Sequence, residues 1–173
     1  AEIYSLARYP FQADMATKFG AKGVIFDNEN AYKQAADITG ARYFEGYFKN
    51  RILLGGFDII YDAIGNDRTI QNAFRWVKGK GAVVILGINF RPGKIDYTPI
   101  WHQEIKVTGI NCHATEYEGK SSFDIAANLL AEKKVNIEGI ITHRFPLERY
   151  REAIETFLSK GRSKAIKIVI EHS

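Results

Sequence analysis

The sequence has little that would suit an extracellular, fibrous or membrane-embedded protein. Its single cysteine, Cys112, cannot form an internal disulfide, which fits a reducing compartment. No apolar run approaches the roughly 18 residues that a membrane span needs. Ala1-Glu2-Ile3-Tyr4 shows no basic stretch ahead of an apolar one, so no signal peptide is visible and a cytoplasmic setting is expected. Strong charge of one sign is also missing. Lysine plus arginine number 24 against 20 acidic residues, a net charge of +4. A nucleic-acid binder gathers its basic residues on one face. Here they are scattered, several where helices should end: Lys78 and Lys80, Lys133 and Lys134, Lys160 and Arg162. Neither nucleic acid nor membrane is expected as a partner.

What is present is the mix of a soluble globular chain of 173 residues, 46% apolar and 25% charged. That excludes a disordered tail, a collagen-like chain and a Gln/Asn-rich one. Catalytic constellations are scarce. Cys112, His113 and Glu116 are metal-capable and close together, but structural zinc sites pair four ligands. No metal is assigned to them. Gly119-Lys120-Ser121 is the tail of a P-loop whose upstream glycine is Ala114 here, so that reading fails. His102, His143 and His172 read as structural or exposed, and no Ser-His-Asp or Cys-His arrangement can be argued.

The order of elements is regular. Ile3 to Ala7 is β-prone, and Pro10 opens a helix with Ala13, Ala16 and Phe19 at helical spacing and Gly20 as its end. Gly23 to Phe26 reads as a strand and Tyr32 to Thr39 as a helix stopped at Gly40. Ala41 to Gly56, rich in aromatics, reads as an ordered loop with a helical turn. Phe57 to Ile64 is a strand, closed by Gly65-Asn66-Asp67. Asp67 is the expected N-cap of a helix from Arg68 to Val77. After a turn at Lys78 to Gly81, Ala82 to Ile88 is the most apolar strand. Such a run predicts a sheet covered on both faces. A loop with Pro92, Gly93 and Pro99 leads to a strand from Ile105 to Ile110. Next comes an amphipathic helix from Ser121 to Lys133, with Phe123, Ile125, Ala126, Leu129 and Leu130 on one side. Thr142 to Pro146 is extended. Leu147 to Ser159 is a helix with Ala153, Ile154, Phe157 and Leu158 inward, and Ala165 to Ile170 is the last strand.

This alternation predicts right-handed βαβ crossovers and a doubly wound α/β sheet. In such sheets ligands lie beyond the carboxyl ends of the strands. Three turn-like segments fall there: Ala7-Arg8-Tyr9, Ala63-Ile64-Gly65-Asn66 and Gly87-Ile88-Asn89.

The wording of several segments goes further. Phe57-Asp58-Ile59-Ile60-Tyr61-Asp62-Ala63-Ile64-Gly65 resembles the G-x-D-v-v-x-D-x-x-G strand of the medium-chain dehydrogenase/reductase family, the zinc-type alcohol dehydrogenases. Lys78-Gly79-Lys80-Gly81 through Gly87 resembles that family's G-G-x-v-v-x-x-G strand. Ile141 to Leu147 is close to its I-T-H-x-f-p-l segment, and Lys160-Gly161 to Ile170 is similar to its closing s-G-k-x-i-K-v-v-i. Phe19-Gly20-Ala21 matches the x-G-A that follows its second helix. The matches run in the family's order over nearly the whole chain. The departure is equally plain: no G-x-G-x-x-G occurs, and the chain starts at what resembles the second strand of the nucleotide-binding sheet.

The resemblance implies a partial Rossmann-type sheet over residues 1–120 and, over 121–173, helices and a strand that return to a catalytic domain not included here. It implies the C-terminal half of a dehydrogenase, either a truncation, a proteolytic product or a natural half-protein. This half would be inactive alone, and the missing central strand would leave unpaired edges. An acidic residue at the end of the second strand would accept hydrogen bonds from an adenosine ribose and repel a 2′-phosphate. This chain has Ala7 and then Arg8, so NADP(H) is expected over NAD(H). Tyr9 is a candidate to stack on the adenine or to face water, and Phe26 a weaker one with a core role as its alternative. By resemblance Ala63, Ile64 and Gly65 lie along ribose and pyrophosphate, and Gly87, Ile88 and Asn89 meet the nicotinamide carboxamide. Lys167 aligns with a basic residue that meets the pyrophosphate. Zinc is implied only for the half outside this chain, where it would polarise an alcohol or carbonyl oxygen. Ile105 to Ile110 resembles the strand that pairs across the family's dimer, so a homodimer or higher homo-oligomer is expected. A non-enzymatic nucleotide-binding or scaffolding module is the alternative. A methyltransferase on a related sheet is a third reading, and the Thr142–Leu147 and Lys160–Ile170 segments speak against it.

Overall fold

Proline and glycine punctuate the backbone where the sequence places them. A computed structural model describes residues 1–111 and 117–172. Cys112, His113, Ala114 and Glu116, and any metal or phosphate reading that rests on them, lie outside the described residues. In chain order the elements begin with β1 (Tyr4–Ala7), α1 (Pro10–Lys18), β2 (Gly23–Phe26) and α2 (Ala31–Thr39). They continue with β3 (Arg42–Glu45), β4 (Arg51–Leu54), β5 (Phe57–Asp62), α3 (Asp67–Trp76), β6 (Val77–Ile85), α4 (Thr98–His102) and β7 (Lys106–Gly109). The last are α5 (Ser122–Ala131), β8 (Ile141–Pro146), α6 (Tyr150–Leu158), α7 (Lys160–Ser163) and β9 (Lys167–Glu171).

The chain divides into two compact units, residues 29–122 and residues 1–28 with 123–173. In the first, β5, β6 and β7 form a parallel sheet in that order. Helix α3 covers one face. Ile70, Ala73 and Phe74 from the helix pack with Val77, Val83 and Ile105, and Ile60, Ile85, Ile95 and Ile100 flank them. The other face is open: Ile59 is 51% and Tyr61 65% exposed. The cover expected on both faces is therefore present on one. Alternating residues of a strand point to opposite faces, and among the described residues of this unit α3 packs on one of them.

The aromatic stretch 41–56 is not a loop but an antiparallel hairpin, β3 against β4, around a single 3-10 turn at Tyr47–Lys49. All four β3 residues are exposed, so no inside–outside alternation announces the strand. The hairpin is held by Leu53, which is fully buried, and by Tyr32 of α2, whose ring lies 6.1 Å from that of Tyr43. It leads through Gly55 and Gly56 into the amino end of β5. Ile64 and Gly65 lie past the opposite end of that strand.

Two further expectations change in this unit. Lys78 and Lys80 do not end a helix: β6 starts at Val77, and they pair with Asp58 and Glu104 respectively. β6 stops at Ile85, so Leu86 to Ile88 lie beyond the strand.

In the other unit β1 and β2 are parallel neighbours joined by α1, and β8 and β9 are parallel neighbours joined by α6 and α7. Phe145, Ala153 and Ala165 are its buried side chains in the second pair. Of the residues expected inward on α6, Ala153 is buried, whereas Ile154, Phe157 and Leu158 are exposed. Helix α5 buries none of its residues. Helical spacing marks which side is apolar, but burial needs a neighbour to cover it.

The architecture is α/β with parallel sheets, as expected. The strands form four separate sheets among the described residues. No helix among them is long and apolar enough to cross a membrane.

Candidate functional site

The carboxyl ends of β5 and β6 are organised by one buried carboxylate. Asp62 closes β5 and is 5% exposed. Its Oδ1 accepts from the backbone N–H of Ile64 (3.0 Å) and Gly65 (3.2 Å), and its Oδ2 accepts from the Thr69 hydroxyl at 3.0 Å. Its backbone carbonyl accepts from Leu86 and Gly87, both at 2.9 Å. Charge-assisted bonds to several donors are the condition for burying a carboxylate. One residue thus ties the β5 turn, the β6 turn and the first turn of α3 together. The helix is capped by Asn66, whose side chain accepts from Thr69 N–H at 3.0 Å. Asp67, expected as the cap, is instead the first helical residue, because Asn66 already holds the extended N-cap conformation.

The two turns touch through glycine. Gly65 has φ +81°, in the left-handed region that glycine adopts freely. A Cβ on Gly65 would lie 2.5 Å from the Gly87 carbonyl carbon, and one on Gly87 2.5 Å from the Ile64 nitrogen. Neither space exists for a real side chain. Next in sequence to these two glycines, Ile64 (55%) and Ile88 (72%) are exposed. Asn89 spends its Oδ1 on the Arg91 N–H at 3.0 Å, closing a tight turn.

At the carboxyl end of β1, Ala7 is 3% exposed and has an apolar side chain, and Arg8 is exposed. The Arg8 guanidinium carbon lies 5.5 Å from the centre of the Tyr9 ring, which stacks in turn on Phe11 at 5.5 Å. Tyr9 is half-buried, and Gly161 lies against its ring, so it does not simply face water. Phe26 ends β2 at 38% exposure, which sets aside a core role. Gln12, which sequence reasoning passed over, fixes this turn. Its Oε1 accepts from Arg8 N–H at 3.0 Å and Tyr9 N–H at 3.1 Å. The only local sign was a glutamine in the first turn after Pro10.

Lys167 begins β9 with its side chain exposed, and its backbone carbonyl accepts from the Thr142 hydroxyl at 3.2 Å. No contact joins it to Arg8 among the described residues. His143 stacks on Phe145 at 6.4 Å and lies 2.9 Å from the Thr142 hydroxyl. No three His, Cys, Asp or Glu side chains converge among the described residues.

Residues 1–132 match the family model described as zinc-binding dehydrogenase. The chain belongs to the zinc-binding dehydrogenase family. It is 27% identical over 168 residues to sorbitol dehydrogenase from Gallus gallus, a match that covers 91% of this chain and 45% of that protein. Its fold matches a short chain alcohol dehydrogenase from E. coli CFT073 complexed with NADH, with a TM-score of 0.75 at 15% identity, over 99% of this chain and 44% of that one. It also matches a Sinorhizobium meliloti 1021 protein of the zinc-binding dehydrogenase kind bound to NADP, with a TM-score of 0.69 at 20% identity, over 99% and 45%. The chain spans less than half the length of these family relatives.

Proposed function

We propose that this chain is the cofactor-binding part of an NADP(H)-dependent, zinc-type alcohol dehydrogenase. Residues 1–120 form the nucleotide-binding portion and 121–173 return to the part that carries catalysis. The observation that carries the cofactor choice is at β1: a buried, apolar Ala7 followed by the exposed Arg8. Ala7, Arg8 and Tyr9 carry no carboxylate to repel a 2′-phosphate, and a guanidinium can grip one with two parallel bonds. Gln12 already occupies the Arg8 and Tyr9 amides, so the side chain, not the backbone, is the phosphate ligand.

In this reading Ala63, Ile64 and Gly65 run along the ribose and pyrophosphate. Gly87, Ile88 and Asn89 present backbone to the nicotinamide carboxamide. A bound nicotinamide supplies the hydride chemistry; the chain positions it and keeps competing reactions out. The substrate is an alcohol/carbonyl pair, and the enzyme works as a homo-oligomer in the cytoplasm. Lys167 is the further cation for the pyrophosphate.

Titration of the chain with NADPH and with NADH, followed by energy transfer from tryptophan to the reduced nicotinamide, tests this. NADPH is expected to bind at least tenfold more tightly, the size of one charge-assisted contact, about 1.5–3 kcal/mol. Equal affinities would remove the NADP preference. Absence of binding by either would remove the dinucleotide reading.

A further inference from the structure

The segment after Gly87 is held to α3 along three successive helical turns. Asp67, Gln71 and Arg75 recur every four residues, so they line one side of the helix. Each holds the returning chain. Asp67 Oδ2 accepts from Lys94 N–H at 3.0 Å. Gln71 bonds both sides of the Asp96 peptide backbone: its Oε1 accepts from Asp96 N–H at 2.8 Å and its Nε2 donates to the Asp96 carbonyl at 3.2 Å. Arg75 donates to the Asp96 carboxylate at 2.8 Å, and that carboxylate also accepts from Thr98 N–H at 2.9 Å. Gly93 lies so close to Asp67 that a Cβ there would overlap the carboxylate.

The loop 88–93 is therefore fixed at both ends, at its entry to the end of β5 and at its exit to α3. Its entry is fixed by the Asp62 carbonyl and the Gly65–Gly87 contact, its exit by Asp67, Gln71 and Arg75. Between the anchors Ile88 and Phe90 (94%) are exposed. An exposed apolar loop with rigid ends is a pre-organised surface.

We infer that Asp67, Gln71 and Arg75 are positioning residues that hold loop 88–93 in the conformation that receives the nicotinamide end of the cofactor. The inference rests on the dinucleotide reading above. These side chains touch no cofactor atom; they act through the loop. Releasing the strap lowers the fraction of molecules with a competent loop, and apparent affinity falls by that fraction.

Gln71→Met removes both backbone bonds at similar volume. Gly93→Ala pushes the strap off Asp67 and leaves every strap side chain in place. Each full-length variant is titrated with NADPH and with 2′-phospho-ADP-ribose, the same molecule without its nicotinamide. The expected result is a roughly three- to tenfold loss for NADPH with unchanged affinity for 2′-phospho-ADP-ribose. Faster amide exchange confined to residues 88–98 accompanies it. Arg75→Lys keeps the charge and recovers most of the affinity lost in Arg75→Met. Equal weakening of both ligands, or no change in either, overturns the inference and leaves the dinucleotide reading standing. If the unmodified chain binds neither ligand, that reading fails and the inference with it.

Discussion

Gly65 and Gly87 lie in direct backbone contact across the ends of adjacent strands. A Cβ on either would stand 2.5 Å or less from the other turn's backbone. This contact, with the Asp62 carbonyl accepting from Leu86 and Gly87, sets the spacing of the two loops that line the candidate site.

Gly87→Ala is expected to destabilise the chain by about 1–3 kcal/mol, the range for forcing volume into packed structure. Gly65→Ala costs more, because its φ of +81° adds backbone strain to the overlap. Gly20→Ala is the comparison: φ is +93°, yet nothing lies within 4 Å, so it carries strain alone. Urea unfolding of the three variants gives the order; a Gly87→Ala chain as stable as the unmodified one, with equal losses for Gly65→Ala and Gly20→Ala, would show that overlap plays no part.

Arg8→Ala is expected to weaken NADPH roughly ten- to hundredfold and NADH little, since only the former carries the phosphate that a charge-assisted bond recognises. Dissociation constants for both cofactors decide it. Parallel losses would place Arg8 in the turn's stability.

Gln12→Glu keeps an acceptor for the Arg8 and Tyr9 amides and adds a negative charge at the first turn of α1, where the helix dipole favours it. Stability is expected to hold. NADPH affinity is expected to fall while NADH affinity holds, because the new carboxylate sits beside the phosphate ligand. Gln12→Ala instead loses both bonds, about 1–3 kcal/mol at roughly 0.5–1.5 each, measurable as a lower unfolding midpoint.

The Asp96 carboxyl is held below the usual carboxylate range by hydrogen bonds from Thr98 and by the Arg75 guanidinium. Its folded-state value is depressed, so its contribution to stability is present in full above the ordinary value of 3.8 and is lost as pH falls through the depressed one. Urea unfolding of the unmodified chain and of Asp96→Asn is expected to show a gap that stays constant from about pH 5.5 upward and closes in acid. A gap that persists at the lowest pH would assign the effect to the altered side chain rather than to its charge.

Much of the fold can be read from local signals. Pro10 starts α1, Gly40 ends α2 at φ +67°, and β2 covers the expected Gly23 to Phe26. The hairpin at 42–54 escaped because β3 has no buried residue to reveal its period. No residue of the inward face expected for α5 is buried: Ile125 and Leu129 are half-buried and Phe123 and Leu130 exposed, since an apolar stripe states a preference and not a partner.

Within the site, the segments at the strand ends were legible because strand carboxyl ends and turn glycines are adjacent in sequence. The roles of Asp62, Gln12 and the Gln71–Asp96 pairing were not. Asp62 reads as an ordinary strand-end acid until the donors around it are seen, and Gln71 and Asp96 stand 25 residues apart. The sequence by itself determined the order of strands and helices outside the 42–54 hairpin and the short α4 and α7, the family resemblance and the Ala7–Arg8 pair, all of which depend on neighbouring residues. Only the tertiary structure decided that Gly65 meets Gly87, that Asp62 joins two turns to a helix and that α3 straps the loop after β6. These depend on distances between segments remote in sequence, which hydrophobic period and turn chemistry do not encode.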